Sequence, residues 1–309
     1  MEFRISSPLS RRALMRAALA APLPLLPGIG HAEEPDKARS FVRAVSASDI
    51  DAHAIFGWEV LTEVLERTRP TFGDYTLTTS SDPAQALRFR HATTSSDIQV
   101  NVVVLTIAPE WNDILLPVRI PLLRGLLGYR LLLIHRGDVD RFKGINSLAD
   151  LRQVSFGSVS HWVDTAIMQK AGLKVVTGTT FDGLYKMMQA HRFETLTRGV
   201  HQIESEMAAI GKDPDSDVIV EPHLLLHYYL PVYFWFSRDK DGQRRAERVK
   251  AGLLAMVADG SLERMFDARF GGVIQKYDLA HRTIIDLPNP LISAEDPVND
   301  PRFWYRPKT

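Results

Sequence analysis

The sequence has 309 residues, 45% of them hydrophobic, enough to bury a full core in one or two domains. It contains no cysteine, which excludes disulfides, thiolate nucleophiles and cysteine-held metals. Its 37 basic and 37 acidic residues balance, so nothing in the charge recommends a nucleic-acid partner.

The N-terminus is patterned for export. Arg4, Arg11, Arg12 and Arg16 are basic, and residues 13–29 form an apolar run broken by Pro22, Pro24 and Pro27. Gly30-His31-Ala32 then supplies small residues at cleavage spacing before Glu33-Glu34. This reads as a signal peptide, residues 1–32, cleaved near Ala32 to release the chain into the periplasm. Residues 10–15 (SRRALM) resemble a twin-arginine signal, though the bulky residue and lysine usual after the arginine pair are missing. The alternative is an uncleaved anchor, but three prolines sit badly in a spanning helix of roughly 20 apolar residues. The remaining chain carries 33 basic against 36 acidic residues, a net of −3.

Residues 41–47 (FVRAVSA) suit a first buried strand, and residues 52–69 a helix whose core face includes Ile55, Trp58, Leu61 and Leu65. Residues 75–79 alternate like a strand, 83–92 suit a helix, and 98–106 (IQVNVVVLT) read as a strand buried on both faces. Residues 115–136 give a strand, a turn at 123–127 and a longer strand at 129–135. Residues 147–191 then run as a short helix, strand 153–156, a small-residue turn at Gly157-Ser158-Val159-Ser160, and a helix opened by His161-Trp162. A strand at 173–177, a Gly/Thr turn and a helix at 180–191 follow. This is the rhythm of a parallel sheet with crossover helices, whose strand ends face a crevice. Further strands are read at 218–221 and 232–237. Helices are read at 243–259 and from 261 to 270, where Gly271-Gly272 should end the second. The proline-rich tail from Pro288, with Phe303-Trp304-Tyr305, is expected along the surface.

The whole resembles the two-lobed periplasmic solute-binding proteins of type 2, family 3, that serve amino-acid import. The resemblance is carried by Leu126-Leu127-Gly128-Tyr129-Arg130, Ser147-Leu148-Ala149-Asp150-Leu151, Gly172-Leu173, Leu184-Tyr185-Lys186-Met187-Met188 and Ala258-Asp259-Gly260-Ser261-Leu262. It implies an α/β fold of two lobes, each a mostly parallel sheet flanked by helices. One lobe would be residues 33–136 with 228–309, the other 137–227, joined by two hinge crossings. It further implies capture of a small molecule by hinge closure and delivery to a membrane permease of the ABC type.

Two departures bear on the ligand. Members that bind amino acids commonly use a first-lobe arginine for the carboxylate and a second-lobe aspartate for the ammonium. Pro109-Glu110-Trp111-Asn112 stands in the region of that arginine, and Arg198 near the place of that aspartate. A cation cannot receive an ammonium group, so a polar or anionic solute is the expectation.

The candidate ligand-binding residues follow. Arg198 offers a planar donor fork to a carboxylate or phosphate, or else pairs internally with Glu194 or Glu204. Trp162 stacks on a ligand or plugs its lobe; His161 precedes it. Ser158 and Ser160 either cap the helix or bind an anion at its N-terminus, and Thr179 and Thr180 carry the same double reading. Arg119, Arg124 and Trp111 would reach the cleft from the first lobe. No metal or cofactor is called for. His223 and His227 have i, i+4 spacing but read as extended, and residues 213–217 mimic a calcium loop without its glycine and glutamate. There is no G-x-S-x-G, P-loop or G-x-G-x-x-G motif.

The leading class is therefore a monomeric, non-enzymatic exported receptor. A second is an accessory or sensor subunit with a degenerate cleft, which the aromatic tail would suit. A third is a dehydratase-like enzyme on the same scaffold, with Glu110 or Glu194 as the carboxylate of raised pKa.

Overall fold

The computed structural model describes residues 37–43, 52–82, 89, 99–108 and 110–307. The signal peptide expected at 1–32 and most of the helix expected at 83–92 lie outside these residues. In chain order the strands and main helices begin with β1 (Ser40–Arg43), α1 (Ala52–Arg67), β2 (Thr76–Thr79), β3 (Val103–Thr106), β4 (Leu115–Val118) and β5 (Tyr129–His135). The middle of the chain gives α2 (Leu148–Leu151), β6 (Ser155–Val159), α3 (Val163–Lys170), β7 (Lys174–Gly178), α4 (Phe181–Gln189), β8 (Thr195–Gly199), α5 (Ile203–Ile210) and β9 (Val218–Val220). It closes with β10 (Leu224–His227), β11 (Val232–Ser237), α6 (Lys240–Ala258), α7 (Ser261–Lys276) and β12 (Thr283–Asp286).

Two sheets organise these elements. In the smaller, β11 lies between β3 and β4, antiparallel to both. The β1–β2 pair runs in parallel register and touches this sheet through a parallel bridge from Arg43 to Val102. Helix α1 covers it with Phe56, Val60, Leu61, Val64 and Leu65 all buried, the spacing of a single helix face. The larger sheet has the order β12-β10-β5-β8-β6-β7, with β9 also on β5. Its β6, β7 and β8 are parallel neighbours joined through α3 and α4, since parallel strands need a crossover.

Strand β5, read from sequence with the first lobe, is hydrogen-bonded inside the larger sheet. It pairs antiparallel with β8 over Arg130–Leu133, with β9 and with β10. All seven of its residues are buried, so its apolar run reflects burial on both faces. The chain thus enters the larger sheet at Tyr129, leaves it after His227 to begin β11, and returns to its edge with β12.

At the far end of β5, His135 Nδ1 meets Asp217 Oδ1 at 2.7 Å and Nε2 meets the Met188 carbonyl at 2.9 Å. Both partners are acceptors, so both ring nitrogens must donate, which requires the imidazolium. Burial pulls the His135 pKa down, but the bonds to Asp217 and Met188 outweigh it and the net shift is upward from 6.5. A raised folded pKa gives stability that is full below the unfolded value and lost as pH rises through the folded one. The same bond lowers Asp217 from 3.8, so that share is lost only as pH falls through the folded carboxylate value. Wild type should therefore melt above His135→Gln at about pH 5, and the gap should narrow by about pH 8. Thermal melts of both proteins across that range check this.

Two sequence expectations are corrected at the C-terminal end. Helix α7 does not stop at Gly271-Gly272 but continues to Lys276. Two glycines cost it about 1 kcal/mol each against alanine. Burial of Leu262, Phe266 and Phe270, the last edge-on to Phe56 at 5.2 Å, outweighs that propensity. Nor does the tail lie along the surface, because Phe303 and Trp304 are buried. Trp304 packs against Gly125, whose left-handed φ of 78° and missing Cβ make room; a Cβ there would come within 2.4 Å of the indole.

Candidate functional site

The site is built where three strands end. Gly157 lets β6 pass beneath the Phe193 ring, which a Cβ would approach to 2.3 Å. The strand then runs on to Val159, through most of the residues expected as a turn, and the chain reverses with Trp162 N–H donating to the Val159 carbonyl at 2.9 Å. That turn sets His161 and Trp162 at the start of α3, with Asp164 in its first turn. Strand β8 ends in Arg198-Gly199, while β5 begins with Tyr129-Arg130 directly opposite Gly199.

Two buried ion pairs result. Arg130, only 4% exposed, donates from Nη2 to Asp164 at 2.5 Å and from Nη1 to the Leu127 carbonyl at 3.1 Å. The Tyr228 hydroxyl donates to the same Asp164 carboxylate. Burial holds that phenol well above its ordinary pKa, so its proton stays in place. Arg130 Nε is buried without a hydrogen-bond partner. Arg198, 5% exposed, grips Glu206 with Nε, at 2.6 Å, and with Nη2. Its guanidinium also lies 4.8 Å from the Trp162 ring and 4.6 Å from the Phe181 ring. Two guanidiniums and two carboxylates leave this centre without net charge.

Above these pairs is a cavity of about 280 Å³. Thr106, at the end of β3, and Leu230, before β11, line it from the smaller sheet; Leu127 comes from the connection into β5. Arg130, His161, Trp162, Asp164, Arg198 and Gln202 line it from the larger one. It therefore sits where the chain crosses between sheets, outside the ends of β3, β6 and β8. That is the position at which α/β sheets hold ligands.

Of the residues singled out from sequence, Arg198, Trp162 and His161 come together here. Arg198 takes neither of its foreseen internal partners. Glu204 lies on Lys276 at 2.7 Å and Glu194 on Arg141, and Glu206 does the pairing. On α5, residues 204 and 206 point roughly 200° apart around the axis, so only one of them can face β8.

The others are elsewhere. Ser158 is 1% exposed inside β6 with its hydroxyl tied to Thr165 at 2.6 Å. Ser160 is exposed, but its N–H is spent on the Gly178 carbonyl at 3.0 Å. Neither presents an anion-binding N–H at the helix start, because β6 extends further than its small residues suggest. Thr180 caps α4, accepting from Gly183 N–H at 3.1 Å, and Thr179 is an exposed neighbour outside the cavity lining. Arg119 is held by Asp296 at 2.8 Å and Glu295 at 2.7 Å, Arg124 by Glu263 at 2.8 Å. Trp111 packs edge-on against Trp235 at 6.0 Å. Among the two carboxylates suspected of acid-base work, Glu110 is exposed at a helix start and Glu194 accepts from the Ser155 N–H; neither lines the cavity.

Two larger hollows of about 580 and 650 Å³ lie beside Arg124 and Arg119. Volume does not decide between the three. Neither of those hollows receives an end of β6 or β8.

Arg130, Asp164, Tyr228, Gln202 and Thr106 escaped the sequence reading. One signal was present: an arginine inside the apolar strand YRLLLIH has to find a buried carboxylate.

A chain that passes from one sheet to a second and back, with a cavity at the crossing, settles the architecture. Two α/β sheets joined by crossings are the architecture expected from the resemblance to two-lobed periplasmic binding proteins.

No family model and no curated protein matches the sequence. Solved structures of similar fold include an ancestral arginine-binding protein bound to arginine, 13% identical, covering 75% of this chain and 98% of that one with a TM-score of 0.47. Another is an amino acid ABC transporter substrate-binding protein of Streptococcus pneumoniae bound to L-arginine. It is 10% identical, covering 75% and 94%, with a TM-score of 0.49. A third is the GluR0 ligand-binding core in complex with L-glutamate, 11% identical, covering 74% and 96%, TM-score 0.49.

Proposed function

We propose that this chain is an exported solute-binding receptor that captures a small polar molecule between its two sheets by hinge closure. The observation that carries this is the cavity at the chain crossing, which opposes Thr106 and Leu230 to His161, Trp162, Asp164, Arg198 and Gln202. Closing the hinge would desolvate a guest between an aromatic wall and several hydrogen-bonding groups. The basic, proline-broken N-terminus with its Ala32 cleavage pattern supports export to the periplasm, and delivery would be to a membrane permease of the ABC type. The balanced centre favours a polar solute over an anion, since each arginine already holds a carboxylate. Burial of Phe303 and Trp304 removes the exposed aromatic tail that an accessory subunit would have offered a partner.

Mass spectrometry of the solute freed when gently purified protein is denatured tests the reading. A stoichiometric small metabolite, returned unchanged, is expected. An empty cleft with a co-purifying protein would contradict the receptor and favour the accessory subunit. A converted molecule would instead indicate an enzyme.

A further inference from the structure

The way Glu206 holds Arg198 bears on which solutes the cleft accepts, given the receptor reading above. An arginine grips a carboxylate best through two parallel N–H bonds from one edge of its guanidinium. Here one such edge, Nε with Nη2, is already closed on both oxygens of Glu206. Side-chain exposures of 6% for Arg198 and 14% for Glu206 keep water from competing for that grip. Trp162 and Phe181 lie against the guanidinium and oppose its rotation toward the cavity. Arg198 nevertheless lines the cavity, and Nη1 has no hydrogen-bond partner among the described residues. What remains for a guest is therefore the two N–H groups of Nη1 and the second N–H of Nη2, on a guanidinium whose charge Glu206 already balances.

The second ion pair is likewise balanced in charge. Arg130 and the Tyr228 hydroxyl both converge on Oδ1 of Asp164, so that carboxylate's charge is already met by a guanidinium. Neither charge sign is offered unpaired.

We propose that Glu206 is the charge-selecting residue of this cleft: by pairing with Arg198 it balances the guanidinium and leaves it a hydrogen-bond donor without net charge, so the site takes an uncharged polar solute bearing a carbonyl or hydroxyl. Glu206 is then a positioning residue, acting on the solute through Arg198. Its removal should open the cleft to carboxylates.

Acetate is the probe, titrated calorimetrically against the full chain at constant ionic strength. Wild type should show no saturable heat, whereas Glu206→Gln should bind acetate at least about tenfold more tightly, a change of about 1.4 kcal/mol. Adding Thr106→Phe, which fills the cavity from the opposite wall, should abolish that binding, as should adding Arg198→Met. The inference is overturned if wild type binds acetate and loses it in Thr106→Phe, since the clamp is then already open. It is overturned if Glu206→Gln, folded by circular dichroism, gains nothing. It also fails if Thr106→Phe leaves the gain intact, for then acetate only fills the place of the lost side chain. Should Glu206→Gln not fold, Glu206→Asp takes its place, because a stem one methylene shorter draws the carboxylate back from the two nitrogens. None of these arms depends on a solute co-purifying with the protein, so the receptor reading stands or falls separately.

Discussion

Replacing Arg198 with methionine should destabilise the protein by about 3–5 kcal/mol, the cost of breaking one side of a buried ion pair. Glu206 would be left with a carboxylate 14% exposed and without its guanidinium partner, and Trp162 and Phe181 would lose the guanidinium they pack against. Desolvation makes the loss large; an exposed pair of the same geometry would matter little. The double variant Arg198→Met with Glu206→Leu removes both charges and should recover much of the loss, because a hydrophobic pair of similar volume can replace a buried ion pair at small cost. Urea unfolding of the four proteins closes the cycle. If the two single losses simply add in the double variant, the charges do not interact as the geometry requires.

Trp304→Ala should cost a similar amount, about 3–5 kcal/mol, as expected for emptying a large buried aromatic site. Trp304 is 4% exposed, stands edge-on to Tyr229 at 4.7 Å and donates from Nε1 to the Pro297 carbonyl at 2.7 Å. Its neighbour Tyr305 donates its N–H to the Arg124 carbonyl at 2.6 Å and accepts from the Tyr129 hydroxyl at 3.1 Å. Asn289, earlier in the tail, donates to the Tyr229 carbonyl at 2.7 Å. Residues 289–305 thus bind both the segment leading into β5 and the one joining β10 to β11. A tail lying on the surface would give a loss below about 0.5 kcal/mol. Chemical denaturation of the variant, read as a shift in midpoint at unchanged slope, separates the two outcomes.

Much of the scaffold could be read from residue order, and the reasons are local. Strand β5 falls at 129–135 as anticipated, because an apolar run bounded by Gly128 and by Arg136-Gly137 leaves little choice. The α3 and α4 crossovers were visible from their small-residue turns and capping positions, Thr180 among them. Boundaries shifted where tertiary contact overrides local preference. Phe193 packing on Gly157 keeps β6 extended through its glycine, and buried phenylalanines carry α7 past two more. The site was legible in part for the same reason. Residues following a strand end, such as His161 and Trp162, announce themselves, and Arg198 closes a strand. Pairing partners do not, because Glu206 rather than Glu204 is selected by a helix phase that depends on where α5 begins. Arg119 and Arg124 read as free cations in sequence, yet Asp296 and Glu263 lie 177 and 139 positions away along the chain. Such long-range partners are set by the fold and leave no trace near the arginine.

The central claim is that a polar solute sits between the two sheets against Thr106 on one side and Arg198 on the other. The most direct test is add-back of the solute fraction released from purified wild type. Wild type that has been unfolded, dialysed and refolded should regain thermal stability in proportion to RT ln(1 + [L]/Kd) as that fraction is titrated in. Refolded Thr106→Phe, with its cleft filled, should gain nothing. Equal stabilisation of the filled variant, or none of wild type, would contradict the account.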